Sequence, residues 1–81
     1  MTRYYFDLRD GEELAPDEEG LELNSMQAAQ MEAAKSVADM VRDVVYQSQR
    51  VHNHRMAIEV RDDKGPVMQL KFTFEIEKKL Q

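Results

Sequence analysis

Cysteine is absent from this 81-residue chain, and tryptophan with it. Without cysteine there is neither a disulfide nor a thiolate metal site. Two prolines and three glycines are too few to make a linker or a low-complexity segment. No apolar run nears the ~20 residues needed to cross a bilayer. The opening MTRYYFD lacks the basic and apolar parts of a secretory signal. A cytoplasmic protein with no membrane segment is therefore the expectation. The length allows one domain. A chain this short buries only roughly 60–65% of the surface its unfolded form exposes. With disulfides excluded, oligomerisation is the foremost remaining source of support.

Positive charge is also scarce. Eleven Lys and Arg stand against 16 Asp and Glu, for a formal net charge of −5. Phosphate backbones are repelled by such a balance unless the basic residues are segregated, and they are not. Nucleic acid is disfavoured as a direct partner on this ground. The acids do cluster, in Asp10, Glu12, Glu13, Asp17, Glu18 and Glu19.

What is present is periodicity. Tyr4, Phe6 and Leu8 alternate with Tyr5, Asp7 and Arg9, the period of a half-buried strand. Asp10-Gly11 marks a turn, Pro16 and Gly20 bracket a second one, and Leu21 and Leu23 suggest a short returning strand. From Met26, apolar residues recur at Ala29, Ala33, Val37, Met40, Val41 and Val44, with Glu32, Lys35, Asp39, Arg42 and Asp43 opposite. That spacing predicts a long amphipathic helix. Asn24 or Ser25 is placed to cap it; with Asn24 at the cap, Gln27 falls at N3 of a capping box. Met56, Ile58 and Val60 then alternate, as do Met68, Leu70, Phe72, Phe74 and Ile76, across a turn at Asp62 to Pro66.

The expected fold is α+β, with the order β-β-α-β-β and one long helix on one face of a four-stranded antiparallel sheet. One helix and two hairpins can each hide their apolar sides only against the other. The segments are a hairpin over 1–23, the helix over 24–49, a hairpin over 56–77 and a tail over 78–81. A right-handed crossover gives the strand order 2-1-3-4.

The stretches RYYFDLRDG, PDEEGLEL and EVRDDKG, with the Ala-rich helix between the last two, resemble a family of small stand-alone bacterial proteins. That family is common in rhizobia and related alphaproteobacteria and is catalogued as a domain of unknown function. The likeness runs from Arg3 to about Leu70, and many members look to carry His where this chain has Asp7. It implies this architecture and no particular activity. PDEEGLEL and the helix after it are also similar, more loosely, to the HicB-type antitoxin scaffold.

Both histidines lie in VHNHR, residues 51–55. The letters HNH name a nuclease motif, but three adjacent residues alternate faces and cannot converge on one metal. His52 and His54 share a face and are the weak candidates for a metal; two ligands make a poor site. The segment is read as a loop between helix and strand. The acids of the first hairpin do not follow an EF-hand spacing and are read as solvated turn residues. Arg3, Arg9, Arg61 and Lys71 share the outer sheet face with Tyr5, Asp7, Glu59, Glu75 and Glu77, which predicts cross-strand pairing. No nucleophile is paired with an activating base, so no catalytic residue and no cofactor are assigned.

One mismatch stands out. The predicted helix spans ~36 Å and the last strand ~33 Å, but Tyr4 to Arg9 only ~20 Å. The far end of the last strand lacks cover, and that strand is a sheet edge. A homodimer through Val44, Val45, Phe72, Phe74 and Ile76 is expected, against a monomer whose Met and Phe side chains close the core unaided. The function expected is a non-catalytic protein-interaction module with an unidentified protein partner. An antitoxin-like regulator binding a toxin or nucleic acid is the alternative. A metal-dependent hydrolase using His52 and His54 ranks third.

Overall fold

Period-two patterning becomes a sheet and period-3.6 patterning a helix laid on it. The computed structural model describes residues 1–47 and 53–75. In chain order the elements are β1 (Thr2–Asp10), β2 (Glu13–Ala15), β3 (Leu21–Leu23), α1 (Met26–Gln47), β4 (Asn53–Asp62) and β5 (Gly65–Glu75). All pairings are antiparallel, in the order β2-β1-β4-β5, with β3 also on β1. This is the expected α+β fold, with a fifth strand. The returning strand of the first hairpin is broken in two: β2 lies against Leu8–Asp10, and β3 against Thr2–Tyr4.

The helix starts where a side chain can end it cleanly. Ser25 Oγ accepts the Ala28 N–H at 3.0 Å, so Ser25 and not Asn24 is the cap. Ala29 and Ala33 are fully buried, and their small size lets α1 come down on Ile58 and Val60 of β4 and Tyr4 of β1. Phe6, Leu8, Leu23, Val37, Met40, Val67, Met68 and Leu70 surround that centre. Met26, placed on the apolar face by its spacing, is 46% exposed in the first helical turn.

Register sets the sheet's two ends apart. β1 pairs with β4 only between Met56 and Arg61. Beyond that, Asn53–Arg55 face Thr73–Glu75 of β5. The Gly11 N–H donates to the Arg55 carbonyl there, at 3.1 Å, and ties that end to the first hairpin. The strand thus begins at Asn53, so Asn53, His54 and Arg55 are part of β4 and not of a loop. The residues expected to finish the helix after Gln47, and the 78–81 tail, lie outside the described residues. A register shift at Val60/Arg61 places Val67 as an extra residue in β5, after which the alternation from Met68 to Glu75 is regular.

Candidate functional site

The three stretches RYYFDLRDG, PDEEGLEL and EVRDDKG meet in one place. Between β2 and β3, the edge of β1 at Tyr5, Phe6 and Asp7 has no strand beside it among the described residues. Residues 16–20 loop out there, and Asp17 takes the place of the missing ladder. Its Oδ2 accepts the Phe6 N–H at 3.1 Å, and its Oδ1 accepts the Glu19 and Gly20 N–H groups, each at 3.1 Å. An Asp followed three residues later by Gly closes its own turn in this way. Gly20 has φ 71, and a Cβ there would stand 2.9 Å from Arg3 Cγ and Tyr5 Cε1. Only glycine fits both the torsion and the space.

Asp7 and Arg61 lock this turn to the sheet. Asp7, 8% exposed, accepts the Asp17 N–H at 2.8 Å and Arg61 Nε at 2.9 Å. Arg61 also donates to the Asp17 carbonyl at 3.0 Å and lies 4.4 Å above the Tyr5 ring. Arg3 donates to the Glu19 carbonyl at 2.7 Å. One step along the face, Arg9 Nε bonds Glu59 at 2.8 Å, and Gln69 donates to the same oxygen at 3.0 Å. The predicted pairing across the outer face is therefore present in Asp7–Arg61 and Arg9–Glu59.

Partial burial pushes the Asp17 carboxyl up, but the N–H groups of Phe6, Gly20 and Glu19, with the Arg61 charge, outweigh it and hold it below the usual range. The bond from Arg9 holds Glu59 below its ordinary value against a smaller effect of burial. In return, Glu59 raises Arg9 and Asp7 raises Arg61, first through their hydrogen bonds. A general base needs a pKa near the working pH and reach to a substrate proton. Asp17 has the opposite tuning, and both its oxygens are turned to backbone. What this cluster does chemically is fasten a turn. Asp17 is thus no solvated turn acid, as its setting in the acidic stretch suggested.

The other candidates lie partly outside the described residues. His54 stands opposite Phe74 in the β4–β5 register, and His52 lies outside the described residues. Among the described residues, no group of three or more His, Asp or Glu is placed to hold a metal ion. Val44, Phe72 and Phe74 are half-buried and Val45 is 44% exposed, all beyond the packed core; Ile76 lies outside the described residues. An open groove of about 440 Å³ runs between α1 and the first hairpin, with Phe6, Leu8 and Met40 among its walls and Asp39 and Asp43 on the helix side. A smaller hollow of about 190 Å³ on the outer face lies at Ala57, among Arg9, Arg55 and Lys71.

A family model described as a domain of unknown function, DUF6894, matches residues 3–73. The chain belongs to the DUF6894 family. The matched span holds the whole Asp7–Asp17–Arg61 tie, the helix and its cap, and ends in β5 at Thr73. No curated protein and no solved structure matches this DUF6894 chain, so nothing here supports the antitoxin likeness.

Proposed function

We propose that the chain is a non-catalytic protein-interaction module that works through the open flank of its sheet. The observation that carries this reading is the asymmetry of β5. Among the described residues, β4 lies on one side of it and no strand on the other. An antiparallel strand bonded on one side turns alternate N–H and C=O groups outward, ready to pair with another chain. Beside that edge, Phe72 and Phe74 are half-buried on the face that carries the helix, past the last core residue of the strand, Leu70. The acids and arginines that sit closest together are, by contrast, consumed in holding the first hairpin.

Amide exchange tests this. The β5 amides that β4 leaves unbonded exchange fast in dilute purified protein. They slow in concentrated protein or in clarified extract of expressing cells, while the amides of residues 12–19 keep their rates. Slowing confined to the acidic hairpin, with β5 unchanged, would move the recognition surface there and end the reading.

A further inference from the structure

Resting on that reading, we infer that the partner of the β5 edge is β5 of a second copy of this chain, antiparallel and centred on Thr73. Two identical edges that pair side by side are related by a two-fold axis, so the pairing is antiparallel and one residue faces itself. Opposite residues share a face of the sheet. From Met68 to Glu75 the alternation is regular, with Gln69, Lys71, Thr73 and Glu75 on the exposed outer face. The self-facing residue then decides everything else, because one step changes every pair.

Centring on Lys71 sets Lys against Lys, and centring on Glu75 sets Glu against Glu. Phe72 at the centre faces Lys71 with Thr73 and Gln69 with Glu75, and Phe74 faces Thr73 with Glu75. Thr73 at the centre gives Lys71 opposite Glu75 twice, by symmetry, and Phe72 opposite Phe74 twice on the inner face. Opposite charges and paired aromatics are the favourable cross-strand contacts, and like charges the unfavourable ones. A lysine on an edge strand ordinarily deters pairing. Here Glu75, four residues on, matches it in this one register.

The resulting two-fold axis is perpendicular to the sheet. The four-strand order β2-β1-β4-β5 of one copy runs on across the seam into β5-β4-β1-β2 of the other, and both helices fall on one face. The four phenyl rings gather on that face, the same face that carries the exposed Val45 and Tyr46 of each helix. A small core is thereby extended past Leu70, the last residue of β5 packed against it among the described residues.

The absence of native cysteine makes the test clean. Light scattering is expected to give twice the 9.5 kDa chain mass at high concentration. Thr73→Cys should cross-link to a dimer on mild oxidation, since directly opposite Cα atoms at ~4.5–5.5 Å lie within disulfide range. Gln69→Cys should not, because the two copies of residue 69 would lie ~27 Å apart. Lys71→Glu and Glu75→Lys should each weaken association about tenfold. Their equimolar mixture should form a heterodimer, and the double variant should recover the wild-type association at an unchanged net charge. A monomer at every concentration overturns the inference, yet leaves the module reading alive if β5 amides still slow in extract. A dimer in which Gln69→Cys cross-links as readily as Thr73→Cys, or which ignores the charge exchange, overturns the register.

Discussion

At the first-hairpin end of the sheet, Asp7, Asp17 and Arg61 bind three separate stretches of chain to one another, and α1 seats two alanines directly on β4. At the other end, Asn53–Arg55 and Thr73–Glu75 hold each other by a two-stranded ladder. An isolated ladder of that kind is marginal in water. The first end is specified by particular side chains in particular places; the second shows, among the described residues, a ladder and a regular alternation. A small domain can afford one open end if something covers it, and the contrast locates where cover is needed. It also predicts how damage should be distributed between the two.

The largest expected effect comes from the buried centre. Ile58 is fully buried, and Ile58→Ala should cost about 3–4 kcal/mol, within the range for deleting a core aliphatic side chain. Phe72→Ala removes a larger side chain from a half-buried site and should cost less than about 1.5 kcal/mol in dilute protein. Urea melts at low and high protein concentration measure both. If Phe72→Ala matched Ile58→Ala even in dilute protein, the open end would in truth be part of the core and the contrast would collapse.

Gly20→Ala comes next. The substitution forces a side chain into φ 71 and against the Arg3 and Tyr5 side chains and the Tyr4 carbonyl. The left-handed torsion alone costs roughly 1–2 kcal/mol, and displaced neighbours add to it, for about 2–3 kcal/mol in total. Gly11 has φ 62 but open space around it, so Gly11→Ala should cost only the torsional part. Equal thermal shifts for the two variants would show that the close packing at Gly20 contributes nothing to the tie.

These two regions also differ in how plainly the sequence announces them. The alternation in Met68, Leu70, Phe72 and Phe74 and the seven-residue apolar stripe of α1 gave both long elements and their faces, because regular structure leaves a period. The Asp7–Asp17–Arg61 tie leaves none. Glu13–Ala15 is three exposed residues with no pattern, and it becomes a strand because Leu8–Asp10 offers it a ladder. Asp17 looks like any solvated acid in a run of acids, and its bond to Phe6 spans a gap in pairing that only the folded sheet creates. A signal was there: Asp with Gly three residues later after Pro16 marks a turn closed by its own carboxylate. The outer-face pairs were legible as mixed charge on one face, though which acid met which arginine was not. That choice depends on the diagonal offset between Asp7 and Arg61, which the alternation alone leaves open.

A smaller effect than that at Gly20 tests the tie by pH. Asp17 and Glu59 both sit below their ordinary carboxylate values in the folded protein, so the unfolded chain binds protons more readily at these sites. Their contribution to stability is therefore complete above the unfolded carboxylate range and declines as pH falls through the lower folded values. Asp17→Asn keeps one oxygen for the Glu19 and Gly20 N–H groups but turns an NH₂ toward the Phe6 N–H, a donor facing a donor. At neutral pH this should cost about 1–2 kcal/mol, around the low end for a hydrogen bond to a charged group because the site is only partly buried. As the carboxylate of the wild type is protonated its advantage goes, so the two melting curves should converge toward acid. A gap between wild type and Asp17→Asn that stays constant from neutral pH to the acid limit would mean that Asp17 acts through shape alone. The first hairpin would then be held without help from charge.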